Sequence, residues 1–145
     1  MQDLPHHYVV AASASADSAV VLETDGVGEL ASEAPVEFGG PGGHWSPESL
    51  LVAAVADCFV LSFRAIARAS RFEWNALSCN VVGTLDRVER VMQFTDFAIR
   101  AELEVPAGAD LDKAKRLLDK AEQACLITNS LKAESVLEAS VSSAS

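Results

Sequence analysis

Ser46-Pro47-Glu48-Ser49-Leu50-Leu51-Val52-Ala53-Ala54-Val55-Ala56-Asp57-Cys58-Phe59 reads as one helix with a thiol partway along it. Ser46 is a good N-cap, and Pro47 suits the first helical position because its missing N–H would have no partner there anyway. Glu48 then falls in the first turn, where the helix dipole favours an anion. The pattern continues to about Ser70 and is apolar on most faces, which predicts a buried helix with one polar stripe of Asp57, Arg64, Arg68 and Arg71. Ala53, Ala54 and Ala56 are small enough for another element to pack close.

Outward from this helix the chain alternates between strand and turn signals. The N-terminal third predicts short strands at 8–12, 19–24 and 35–38, with the turn Asp25-Gly26 between the latter two. Gly39-Gly40-Pro41-Gly42-Gly43-His44 is a loop, and nothing in it matches a phosphate-binding motif. Apolar and polar residues alternate over 77–85 and again over 97–105, where Phe97, Ile99, Ala101, Leu103 and Val105 share one face. Pro106-Ala107-Gly108 ends that strand and Asp110 caps a second, amphipathic helix carrying Leu111, Ala114, Leu117, Leu118, Ala121 and Ala124 as its apolar stripe. A last strand is expected over 136–141, followed by a fraying serine-rich end. The fold class is α+β, with antiparallel sheets, a long buried central helix and a second amphipathic one.

A chain of 145 residues, half of them hydrophobic, suits a single domain over 1–145 with a core of its own. Its net charge of -10 argues against nucleic acid and against anionic membrane as partners. The charge is lopsided: residues 1–63 hold nine acids and no Lys or Arg. The longest apolar stretch, 50–67, is broken by Asp57, Cys58, Ser62 and Arg64, so no membrane span is expected. No leader pattern opens the chain, and a soluble cytoplasmic protein is expected. One such chain has too little material to cover every face of the central helix, which predicts a homodimer.

Three cysteines without tight spacing suggest neither a disulfide framework nor a zinc site, and no metal or cofactor is expected. Cys58 sits in the core helix and Cys125 just beyond the second helix, while Cys79 lies between Leu77 and Val81 on the inward face of a strand. A buried thiol is ordinarily an inert small hydrophobe. That reading fits Cys79 well. Two thiols, one in a helix and one at an element boundary, are the minimum for dithiol redox chemistry. Glu48 lies ten residues before Cys58, about 15 Å along a straight helix, so it cannot touch that thiol within its own chain.

Ser46-Pro47-Glu48, Ala56-Asp57-Cys58-Phe59 and Cys125-Leu126-Ile127-Thr128-Asn129 together resemble the OsmC/Ohr family of cysteine-based hydroperoxide reductases. Members share a helix opening Asn/Ser-Pro-Glu, a Cys-Phe ten residues after the Glu, and a second cysteine in a pattern like Cys-Pro-x-Ser-Asn/Gln. The element order over roughly 8–142 agrees as well. The resemblance implies an intertwined homodimer with two long helices at its centre and an active site at each end of the interface. It makes Cys58 the peroxidatic thiol, Cys125 the resolving thiol that closes an intramolecular disulfide, and a dithiol or lipoyl-type compound the reductant of that disulfide. Glu48 matches the family's active-site glutamate, and its distance from Cys58 assigns it to the partner subunit's Cys58 if the central helices pack antiparallel.

Some positions depart from the pattern. The family's N-terminal active-site arginine has no counterpart before Arg64, which leaves His6, His7 and His44 as the candidates for its role. Leu126 stands where the pattern has proline, which is expected to loosen the backbone around Cys125. Asp57 would raise the Cys58 pKa if it pointed inward. Two functions are therefore weighed: a thiol-dependent peroxidase acting on organic hydroperoxides, and an OsmC-fold stress-related or small-apolar-ligand binding protein with little or no peroxidase activity.

Overall fold

Two serines start the long helix α1 (Pro47–Ala69). Ser46 Oγ accepts from Ser49 N at 3.1 Å, and Ser49 Oγ accepts in return from Ser46 N at 2.9 Å. Ser49 thus does what Glu or Gln does in the usual reciprocal cap. Leu50 N closes the first turn onto Ser46 O at 2.8 Å. The helix runs 23 residues and includes an 18-residue stretch with a mean hydropathy of 2.0, so by length and composition alone it is long and apolar enough to cross a membrane. Val55, Phe59, Phe63 and Ala67, spaced one turn apart, are at 0% exposure and form its core face. Only this stripe is fully buried; Asp57, Leu61, Arg64, Ala65 and Arg68 are exposed, so the helix is not buried nearly all round within one chain.

The computed structural model describes residues 1–144 and divides into two compact units, Met1–Leu50 and the residues from Leu51 on. In the first, β1 (Ala11–Ser13), β2 (Val20–Thr24) and β3 (Val27–Ser32) form an antiparallel sheet in that order. Gly26, at φ 75°, permits the β2–β3 turn. The strand expected over 35–38 is instead a short 3-10 turn, Val36–Phe38, and the partner of β2 is β3, which the sequence reading missed. The strand expected over 8–12 starts later, at Ala11. Most of this sheet's residues are exposed within the chain.

In the second unit, β4 (Ala76–Val88) and β5 (Val91–Val105) make a long antiparallel hairpin, and β6 (Glu134–Ser143) lies on the other side of β5. Phe97, Ile99, Ala101, Leu103 and Val105 are all at or below 1% exposure, as the alternation required. Helix α2 (Leu111–Ala124) begins where Asp110 accepts from Lys113 N at 3.0 Å, and it buries Ala114, Leu117, Leu118 and Ala121. A one-turn helix α3 (Leu126–Asn129) follows directly. Because α2 and α3 carry the chain back across the sheet, β6 pairs with β5 in parallel, which departs from the antiparallel arrangement expected. The serine-rich end does not fray before Ser143: its alternate residues continue the ladder to Val105.

Gly83 fixes how closely α1 lies on this sheet. A Cβ at that position would stand 2.8 Å from Val52 Cγ2 and 3.0 Å from the rings of Phe94 and Phe97, themselves stacked at 5.3 Å. None of these neighbours is a free side-chain end. Gly83→Ala is therefore expected to destabilise the fold by about 1–3 kcal/mol through overpacking, read as a lower urea midpoint; an unchanged midpoint would mean that α1 is not held at this spacing.

Candidate active site

Cys58 lies on α1 at the edge of its core face. From Val55 at the centre of that face, three residues of helix turn the side chain to the flank, where it is partly buried rather than sealed. Cys125 occupies the junction between α2 and α3 and has no solvent exposure. Its backbone is extended, at φ -64° and ψ 106°, so one residue ends the first helix and caps the second. Cys125 is among the groups that act on the Cys58 thiol, so the fold brings the two near each other, and both are free thiols.

The junction is braced by its polar residues. Thr128 Oγ1 donates to Cys125 O at 3.1 Å, Asn129 Nδ2 to Gln123 O at 3.2 Å, and Ser130 Oγ to Leu126 O at 2.8 Å. Ser135 on β6 bonds Glu122 near the end of α2. The backbone around Cys125 is thus held as a defined turn, contrary to the loosening expected from Leu126. Sequence reasoning missed α3 altogether. Its one available signal was the run of hydroxyl and amide side chains at 128–130, which cap and close short turns.

At the start of α3 the N–H groups of Leu126 and Ile127 have no backbone acceptor among the described residues, and both act on Cys58. Burial pushes the Cys58 thiol up, but the N–H of Ile127, the Cys125 thiol, the Ser62 hydroxyl and the N–H of Leu126 together bring it below the ordinary thiol value. Ser62 Oγ is 3.8 Å from Cys58 Sγ, one helical turn along α1. The expected disturbance from Asp57 does not arise, since that side chain is exposed. Arg64 is exposed on another face of the helix. Cys79 behaves in the opposite way: burial, with the nearby Cys125 second, pushes it up to about 11. Near pH 7.4 roughly one such thiol in several thousand is ionised.

The remaining expected residues lie in the first unit. Glu48 is in the first turn of α1, partly buried, and its Oε1 is shielded from solvent without any hydrogen-bond partner. His6, His7 and His44 are exposed; His6 Nε2 bonds Gln2 O at 3.0 Å and His44 Nδ1 bonds Gly42 O at 3.1 Å. Among the described residues no three His, Cys, Asp or Glu side chains gather as metal ligands.

The site thus holds a partly exposed thiol with a depressed pKa and, among the groups acting on it, a buried second thiol. The family model described as OsmC-like protein matches residues 40–140, a span that holds both thiols. The chain belongs to the OsmC-like family. It is similar to peroxiredoxin OsmC of Escherichia coli, 29% identical over 93 residues that make up 64% of each chain, just under two thirds of that relative. The YmaD protein of Bacillus subtilis is also 29% identical, over 112 residues covering 74% of this chain and 75% of that one. Among solved structures, an OsmC-like protein from Vibrio cholerae matches with a TM-score of 0.86 at 21% identity, covering 94% of this chain and 100% of that one. The organic hydroperoxide resistance protein OsmC of Legionella pneumophila matches with a TM-score of 0.76 at 25% identity, covering 97% and 99%. The α+β architecture is that of OsmC-like proteins, and the relatives include peroxiredoxins and organic hydroperoxide resistance proteins.

Leu126→Pro isolates the contribution of one N–H. Cys125 already has the extended backbone that a following proline demands, Leu126 holds the first position of α3, and its side chain is 66% exposed. The variant should fold at least as stably as the parent and have a higher Cys58 thiol pKa, read from the pH dependence of alkylation. An unchanged Cys58 profile would mean that the Leu126 N–H does not reach the sulfur.

Proposed function

We propose that the protein is a thiol-dependent peroxidase that reduces organic hydroperoxides. The observation that carries this reading is a partly exposed Cys58, its pKa lowered, with the buried Cys125 among the groups that act on it. The Cys58 thiolate attacks the terminal oxygen of the hydroperoxide. An S–O bond forms as the O–O bond breaks, sulfur gives up two electrons to the peroxide, and the departing alkoxide takes a proton from water to become an alcohol. Cys58 is left as a sulfenic acid. Cys125 then attacks that sulfur, its own proton leaving with the hydroxyl as water, and the Cys58–Cys125 disulfide closes. A dithiol, of lipoyl type or otherwise, reduces it by thiol–disulfide exchange.

The assembly we propose is a homodimer in the cytoplasm, in which the two units of each chain act as a single OsmC-like domain. Exposed apolar residues on β3 and α1, Val27 and Leu61 among them, support a second copy as their cover. So does Glu48. A carboxylate oxygen removed from water without a donor is costly, and a donor from the partner subunit would relieve it. Glu48 would then act at the partner subunit's active site.

Four experiments test the reading. Wild-type protein should consume cumene hydroperoxide in the presence of a dithiol, Cys58→Ser should not, and peptide mapping after stoichiometric oxidation should find Cys58 joined to Cys125 with Cys79 reduced. Cys79 in the linkage, or no linkage, would sink the two-thiol route; absence of any turnover would favour the binding-protein alternative. For the assembly, light scattering at micromolar concentration should give about twice the 15.3 kDa of one chain. Glu48→Gln should lower turnover more than stability, because a first-turn charge contributes only about 0.3–1 kcal/mol. A monomer, or equal damage to both properties, would refute the shared site.

A further inference from the structure

Among the described residues Ser62 is the one side-chain hydroxyl that meets the Cys58 sulfur, and helix geometry alone does not require it to. A serine inside a helix ordinarily turns its hydroxyl back to the carbonyl four residues earlier. Here that carbonyl belongs to Cys58, yet among the described residues the Ser62 hydroxyl bonds Cys58 Sγ, at 3.8 Å, and no backbone oxygen. The residue is partly buried, on the same flank of α1 as the thiol. The start of α3 and the Cys125 thiol also act on that sulfur. Within one chain and among the described residues, the groups that lower the Cys58 pKa are two N–H groups, a hydroxyl and a thiol, all of them neutral.

We propose that Ser62 is a positioning residue for the peroxidase reaction, its hydroxyl donating to the Cys58 thiolate from the helix side so that neutral donors hold the charge. The inference rests on the peroxidase reading for its purpose but not for its test. Its consequence is a distinctive pH signature. A donor to the thiolate raises the ionised fraction at neutral pH and also lowers the intrinsic reactivity of each thiolate, which scales with basicity with a Brønsted coefficient of about 0.4–0.5. Removing the hydroxyl should therefore slow Cys58 below its pKa and quicken it above. Loss of packing alone would produce no such crossing.

The test is the rate of Cys58 alkylation by iodoacetamide from about pH 5 to 10, followed by mass spectrometry of the Cys58 peptide in wild-type, Ser62→Ala and Ser62→Thr protein. Alanine favours helix at least as much as serine, so the variant is expected to fold. Ser62→Ala should raise the thiol pKa by about one unit, slow alkylation roughly threefold at neutral pH and speed it roughly threefold above pH 9. Ser62→Thr, which keeps the hydroxyl, should restore the wild-type profile. The proposal is overturned if Ser62→Ala reproduces the wild-type profile, or if threonine fails to restore it. Hydroperoxide consumption is measured separately on the same proteins: wild-type protein that consumes none would fell the peroxidase reading while leaving the alkylation comparison valid.

Discussion

The packing of α1 on β5 is the constraint from which the rest follows. Val55, Phe59, Phe63 and Ala67 recur every fourth residue, and the inward side chains of β5 recur every second. The two periods meet in one dry layer, closed at one end by Phe63 against Trp74, ring centroids 5.4 Å apart. Once that stripe is fixed, the direction of every other α1 side chain is fixed with it. Cys58 and Ser62 fall together on one flank because four residues separate them, and that flank is the side on which the α2–α3 junction arrives. A reactive thiol at the centre of the stripe would have been as inaccessible as Phe59; on the opposite face it would have met no donors.

The electrostatics of the site are those of a chain without cations before residue 64. A cation would stabilise a thiolate from a distance and lose strength with salt. Backbone N–H groups must be in contact, and contact demands a defined turn. That is why the hydrogen bonds of Thr128, Asn129 and Ser130 matter to the chemistry: they hold the turn whose N–H groups act on Cys58. The contrast with Cys79 shows how local the effect is. Both thiols suffer burial, but Cys79 is left with the desolvation and a neighbouring thiol.

Much of this was legible in the sequence because the periodic signals are strong. The caps at Ser46 and Asp110, the alternation of 97–105 and the stripe of α2 each rest on several residues agreeing. The failures are short or hold their place through partners. β3 contains Gly28 and Glu29, poor strand formers, and exists because β2 pairs with it. α3 is a single turn, below the length at which helix formation carries itself, and it is held by side-chain bonds that no periodicity announces. The direction of β6 depends on where α2 and α3 deliver the chain, which is a tertiary matter. The meeting of Cys58 with Cys125 was likewise invisible to spacing, 67 residues apart, and came into view only through the family resemblance. The consequence of Leu126 was misread because proline was considered for its rigidity, and the N–H it would have removed was not.

The unequal burial of the two thiols bears on the order of events in the proposed reaction. A peroxide arriving from solvent meets Cys58, which is partly exposed and has the lowered pKa; Cys125 has no exposed surface and is shielded from direct attack. If both were open, oxidant could convert each to a sulfenic acid, leaving no thiolate to close the disulfide. Burial of the second thiol removes that branch. In the resolving step Cys125 loses its proton as it attacks, and the hydroxyl on Cys58 departs with that proton as water. Two thiols that the fold already brings near each other make that a step between neighbours.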